Sequence, residues 1–246
     1  MTTAGHVCEQ PIVRPRLAGC CVVIVEDHRL LALSLRLALT AEGADVHAVD
    51  LRERGGPDGV VDECLHQHPD VVLLDLDLGE AGDGAQMIAP LAAAGVRVVV
   101  VTGSTDRARL GECLEAGAIG LIEKLEDLDR LVDQVRLAAV GEPLVSAQRR
   151  LDLLNECRLQ RAARRRQLAP FEALTARECE VLAALVRGRR VDEVGQELNV
   201  CEATARTHVR GIFRKLGVKS QLAAVARARE AGWQEKEPAR PALRSA

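Results

Sequence analysis

Val71-Val72-Leu73-Leu74-Asp75 is four apolar residues in unbroken succession, closed by a carboxylate. A strand with one wet face alternates polar and apolar residues, so a run without alternation belongs to a strand buried on both faces. Val22-Val23-Ile24-Val25, Val98-Val99-Val100-Val101 and Ala118-Ile119-Gly120-Leu121-Ile122 read the same way. Strands are predicted near 21–25, 45–49, 70–74, 97–101 and 118–122, separated by amphipathic helical stretches near 29–41, 58–67, 85–94, 106–116 and 126–139. This β-α alternation predicts a parallel sheet covered on both faces by helices. Right-handed crossovers leave a five-stranded doubly wound α/β domain as the simplest topology.

The polar residues that close these runs are Glu26-Asp27, Asp75, Thr102 and Lys124. Ligands of open α/β sheets bind beyond the carboxyl ends of the strands, so the five side chains are expected to converge there. A carboxylate accepts a phosphoryl group poorly unless a divalent cation screens the incoming charge. Glu26, Asp27 and Asp75, with the backbone carbonyl of Asp77, offer the oxygen-rich shell that Mg²⁺ prefers. Lys124 and the Thr102 hydroxyl then face phosphoryl oxygens. Asp75, which directly follows its apolar run, is the expected acceptor, whereas Asp77 has already entered a loop.

Charge divides the chain. Residues 20–140 hold 10 Lys/Arg against 22 Asp/Glu, and residues 148–233 hold 18 against 10. An acidic half followed by a basic half points to nucleic acid as the partner of the second. Residues 1–19 read as a flexible extension, 20–140 as the α/β domain, 141–170 as a basic linker with a helix over 146–167 closed by Pro170, 171–233 as a small all-α domain, and 234–246 as a disordered tail. Leu151, Leu154 and Cys157 form the linker's short apolar seam. The small domain shows four helical stretches, near 175–187, 191–197, 202–215 and 219–231. The eight cysteines include no CxxC pair and read as reduced thiols of a cytoplasmic protein. No apolar run approaches the length of a membrane span.

Ile24-Val25-Glu26-Asp27-His28, Pro69-Asp70-Val71-Val72-Leu73-Leu74-Asp75-Leu76, Val101-Thr102-Gly103 and Gly117-Ala118-Ile119-Gly120-Leu121-Ile122-Glu123-Lys124 resemble, in order and spacing, the four motifs of a response-regulator receiver domain. That resemblance implies a flavodoxin-like fold, Mg²⁺ as cofactor and a sensor histidine kinase as phosphoryl donor. It implies no enzyme beyond the receiver's own phosphoryl transfer and dephosphorylation. Two positions depart from the pattern: Gly79 stands where proline is common, and Leu121 where a switching aromatic ring is common.

In the second half, Ala205, Val209, Ile212 and Leu216 share one face of a helix, while Arg206, Arg210 and Arg214 follow one another on a different face. A helix with one buried stripe and a row of arginines suits the DNA major groove. With Leu174-Thr175-Ala176-Arg177-Glu178 and Lys215-Leu216-Gly217-Val218-Lys219-Ser220, the segment resembles the LuxR-type helix-turn-helix. Thr175 and Glu178 have the spacing of a capping box. The resemblance implies that Arg206, Thr207 and Arg210 face base edges, that His208 and Lys219 meet the backbone, that Thr204 and Arg214 belong to the same surface, and that a homodimer binds double-stranded DNA. Cys201 takes the place of the usual Ser/Thr cap, and Gly195 that of an alanine. The whole chain is similar to NarL/FixJ-type two-component regulators.

Two alternatives follow from the same residues. One is a DNA-binding regulator whose receiver serves as a protein-interaction module without phosphorylation. The other, from Asp75-Leu76-Asp77, is a haloacid-dehalogenase-type phosphatase. Against it stand Gly79 where such enzymes carry Thr or Val, the motif's place on the third strand, and an unexplained Glu26-Asp27. Cys64, His66 and His68 alternate at a spacing that points them apart on a helix, so they are not expected to share a metal.

Overall fold

A computed structural model describes residues 17–53 and 56–234. The expected N-terminal extension and C-terminal tail therefore lie almost entirely outside the described residues. The chain forms two compact units that divide between Arg158 and Leu159.

The first unit is the expected parallel sheet, in the order β2-β1-β3-β4-β5. Its strands are β1 (Cys21–Val25), β2 (Asp45–Ala48), β3 (Val71–Leu74), β4 (Arg97–Thr102) and β5 (Gly120–Glu123). The helices are α1 (Arg29–Ala41), α2 (Pro57–His66), α3 (Ala85–Ala93), α4 (Arg107–Ala116) and α5 (Leu128–Ala139). Alternate residues of each central strand enter opposite cores. Val22, Ile24, Val71, Leu73, Val99 and Val101 pack with Leu35 and Leu39 of α1 and Leu131 and Val135 of α5. Val23, Val25, Val72, Leu74, Val98 and Val100 pack with residues of α2, α3 and α4. β5 begins two residues later than predicted. Ala118 instead bonds back to Cys113 at the end of α4, and the space over Gly120 is filled by Leu144.

The basic helix, α6 (Ala147–Glu172), runs two residues past Pro170. A proline removes one amide donor and does not forbid a last turn, and here that turn is held by Phe171. Its ring is buried and stacks on Trp233 with centroids 5.8 Å apart. The seam also differs from the expected one. Leu151 is exposed, and Leu153 with Cys157, four residues apart, are the buried pair. They lie against Gly111 of α4, where a Cβ would stand 2.3 Å from the Leu153 carbonyl oxygen and 2.8 Å from Cys157 Cβ. Arg150 donates to the Leu114 carbonyl at 3.1 Å, on the same side of α4.

The second unit holds α7 (Ala176–Val186), α8 (Val191–Glu197), α9 (Glu202–Leu216) and α10 (Gln221–Glu230) around one apolar core. Gly195 takes part in a tight exit from α8. Val200 donates to its carbonyl at 2.9 Å, and a side chain would press on the Val200 carbonyl at 3.0 Å. No helix among the described residues is long and apolar enough to cross a membrane.

Candidate functional site

Each strand end delivers one part of the acidic site. Glu26 follows β1, Asp75 follows β3, Thr102 is the last residue of β4, and Lys124 follows β5. Glu26, Asp75 and Thr102 are buried. Lys124 Nζ stands 2.7 Å from Asp75 Oδ2 and 2.8 Å from Glu26 Oε1. The other Asp75 oxygen, Oδ1, accepts from the Leu76 amide at 2.7 Å. Glu26, Asp27, His28 and Asp75 each bring a ligand atom within 4.8 Å of the others. Burial works against the Lys124 ammonium, but its hydrogen bonds to Asp75 and Glu26 outweigh that and raise its pKa. It stays cationic at neutral pH. One ammonium beside three carboxylates leaves an excess of negative charge, all of it on oxygen.

The Thr102 hydroxyl oxygen accepts from the Ser104 amide at 3.1 Å, which leaves its own O–H to donate. Leu121 is buried in the core on the α2–α4 side of the sheet, and its aliphatic side chain has no polar tip to bring to the acceptor. Gly79 sits at φ +57°, a region closed to proline, so the loop has the backbone that glycine permits.

Two neighbours of the site were not read from the sequence. His28 donates its amide to Glu26 Oε1 at 3.0 Å, and its Nδ1 lies 3.0 Å from Glu26 and 2.7 Å from Asp27. The hydrogen bond with Glu26, then the charge of Asp27, hold the imidazole above its ordinary pKa. Its place directly after the acidic pair was the available signal. Arg109, in the first turn of α4, forks onto the loop that follows Asp75. Nη1 meets Asp77 Oδ1 at 2.9 Å, and Nη2 meets Asp83 Oδ1 at 3.1 Å and the Leu76 carbonyl at 3.2 Å. Asp106 caps α4 by accepting from the amides of Ala108 and Arg109, which fixes where that fork starts. Arg109 thus holds the Asp77 carboxylate through Oδ1 alone.

Cys64, His66 and His68 are not brought together: Cys64 is buried and both histidines are exposed. At the amino-terminal edge of β1 and β2, Cys21, Asp45 and His47 do gather. There His47 pairs with Asp45 at 3.2 Å and the Cys21 thiol donates to the Gln67 carbonyl at 3.4 Å, so each has a protein partner.

In the second unit the predicted division of α9 is realised. Ala205, Val209, Ile212 and Leu216 are buried, while Thr204, Arg206, Thr207, Arg210, Arg214 and Lys219 are exposed and His208 is half-buried. Arg206 Nε lies 2.9 Å from Glu202 one turn earlier. A solvent-exposed pair of this kind is worth about 0.3–0.5 kcal/mol, so the guanidinium exchanges partners readily. Cys201 makes no cap hydrogen bond to the helix, and its sulfur meets the Thr204 hydroxyl at 3.1 Å. The capping box of Thr175 and Glu178 is complete. Glu178 also accepts from Lys215 of α9 at 2.5 Å. Gly211 faces it: a Cβ there would stand 2.5 Å from Glu178 Oε1. A buried carboxylate thus ties the start of α7 to the end of α9 and is admitted by a glycine.

Residues 22–136 match the response regulator receiver domain, and residues 172–228 match the bacterial regulatory proteins of the luxR family. The nitrate/nitrite response regulator protein NarP of Escherichia coli is 30% identical over 206 residues, spanning 82% of this chain and 91% of its own length. The transcriptional regulatory protein LiaR of Bacillus subtilis is 28% identical, over 82% of this chain and 93% of its own. The probable transcriptional regulatory protein NarL of Mycobacterium tuberculosis is 33% identical, over 84% and 92%.

Proposed function

The chain belongs to the NarL family of response regulators, transcription factors that join a receiver to a LuxR-type DNA-binding helix-turn-helix, and on that premise we propose that Asp75 accepts a phosphoryl group from a partner histidine kinase and so sets affinity for DNA. The observation that carries this reading is the convergence of four strand ends on one carboxylate, with Lys124 at 2.7 Å from Asp75 Oδ2. An Asp75 oxygen attacks phosphorus, the bond from phosphorus to the donor breaks, and the donor leaves with the electron pair. Lys124 and the Thr102 hydroxyl bind the transferred oxygens. Glu26, Asp27, Asp75 and the Asp77 carbonyl would hold Mg²⁺, whose part is to screen negative charge; their all-oxygen donor set fits that hard cation. The phosphatase reading is dropped, because the family assignment accounts for Glu26-Asp27 and for an acceptor on the third strand.

On the DNA side, Arg206, Thr207 and Arg210 read base edges, Thr204, His208, Arg214 and Lys219 support them along the backbone, and two copies of the chain occupy paired half-sites in the cytoplasm. Leu121 favours keeping one second reading, a regulator whose receiver binds proteins without being phosphorylated. Incubation with a small phosphodonor separates the two. Labelling that requires Mg²⁺ and disappears in Asp75→Asn is expected. Failure of the intact protein to label under conditions that label a known receiver sinks the phosphorylation reading and leaves the second.

A further inference from the structure

Residues 158–166, Arg-Leu-Gln-Arg-Ala-Ala-Arg-Arg-Arg, carry five arginines and no acid, and all nine residues are exposed along α6. Arg158, Arg161 and Arg165 fall at the three- and four-residue spacings that put like charges side by side on a helix, where they repel. Arg158, Arg165 and Arg166 meet no carboxylate among the described residues. A segment exposed on every side and charged with one sign buries little surface to offset this cost, and a polyanion relieves it. Residues 159–233 hold 15 Lys/Arg against 8 Asp/Glu, and four of those 15 lie in 161–166. More than half of the positive excess of residues 159–233 therefore comes from 161–166 and not from α9.

We infer that the arginine-rich half of α6 is a second DNA-contacting surface, one that takes the phosphate backbone and reads no bases. The inference rests on the DNA-binding reading above and extends it beyond α9. Three features favour DNA as the occupant. Most of the segment belongs to the same compact unit as the recognition helix. The helix is fastened to that unit by the stack of Phe171 on Trp233. At ~1.5 Å rise per residue the segment spans about 12 Å, over which duplex DNA presents roughly seven phosphate charges.

The test measures binding of the full-length protein to a labelled duplex carrying its site, and to an unrelated duplex, between 50 and 200 mM salt. Arg158→Gln/Arg165→Gln/Arg166→Gln keeps good helix formers while removing three charges. Log affinity against log salt is expected to become shallower by ~0.9 per lost contact, close to 3 in all, so that the loss of affinity across that salt range shrinks by about 40-fold. Both duplexes should weaken together, with their affinity ratio kept within about twofold. The matching Arg→Lys variant, which retains the charge, should restore the wild-type slope and guards against a folding defect. A Gln variant with wild-type slope and affinity overturns the inference and makes the segment a solvated linker. A Gln variant that binds DNA more tightly overturns it too, and assigns the arginines to an acidic protein surface. Wild-type protein that binds no duplex at any salt defeats the DNA-binding reading itself, a result distinct from either.

Discussion

Gly111→Ala tests how the linker helix is seated on the receiver. The added Cβ would stand 2.3 Å from the Leu153 carbonyl oxygen and 2.8 Å from Cys157 Cβ. Carbon needs ~3.5 Å from such atoms, and both obstacles lie at or next to backbone, so the first half of α6 must shift by roughly 1 Å. That shift uncovers Leu153 and Cys157, each 1% exposed, and stretches the bond from Arg150 to the Leu114 carbonyl. Losing the burial of a leucine costs about 1.5–3 kcal/mol, and the weakened hydrogen bond adds about 0.5–1 kcal/mol. A total near 2–4 kcal/mol corresponds to local opening some 30- to 1,000-fold more frequent. α4 itself should remain helical, since alanine is the better helix former. The assay is alkylation followed peptide by peptide by mass spectrometry, with Cys157 expected to react 30- to 1,000-fold faster in the variant. Cys113 serves as the control, being buried on α4, the helix that carries the substitution, with its thiol pushed up to about 12 by burial. Its rate should not change. Cys157 reacting at the wild-type rate, with Cys113 still protected, would refute the packing argument.

Arg109→Ala removes the fork that holds Asp77, Asp83 and the Leu76 carbonyl. Amide exchange over residues 76–83 should accelerate and labelling from a small phosphodonor should slow by about 3- to 10-fold, with Arg109→Lys recovering part of both. Glu178 gives a pH signature. Burial alone would raise its pKa, but the hydrogen bonds from Lys215 and Thr175 prevail and hold it below the ordinary carboxylate value of 4.5. A depressed folded pKa contributes stability that is complete above the unfolded value and drains away as pH falls through the folded one. Acid should therefore destabilise the second unit of the wild type more steeply than that of Glu178→Gln. At neutral pH the variant should be less stable by about 1–3 kcal/mol, followed through the fluorescence of Trp233, the single tryptophan. Arg206→Ala and Arg210→Ala should each weaken binding to a specific site by ~1–3 kcal/mol and leave random-sequence binding much less affected. Equal losses on both duplexes would contradict base reading by these two side chains.

Much of the fold was legible because its strands are buried on both faces, which forces apolar runs without alternation and puts the first polar residue of each at the crevice. Asp75 and Lys124 could be paired across 49 residues on that ground alone. The α9 stripe was legible for a similar reason, since a helix lying on a core repeats its apolar residues every three or four positions. What escaped were contacts fixed by register between distant elements. Arg109 looks like any exposed helix charge until α4 is set beside the loop after Asp75. Leu153 rather than Leu151 enters the core because Gly111 opens a gap at one height along α4. The capping box of Glu178 could be read locally, but its bond to Lys215 and the room made by Gly211 depend on how α7 crosses α9. Pro170 misled because the rule that proline closes a helix omits the tertiary contact, Phe171 on Trp233, that holds one more turn.

Charge arriving at Asp75 should change how the second unit binds DNA. The most direct measurement is the affinity of the full-length protein for its target duplex, with Mg²⁺ present, before and after phosphorylation, alongside Asp75→Asn treated identically. Coupling between two sites in one protein commonly amounts to 5- to 150-fold. A change of at least about fivefold is expected in the wild type and none in Asp75→Asn. Stoichiometric phosphorylation of Asp75 that leaves DNA affinity the same would contradict it.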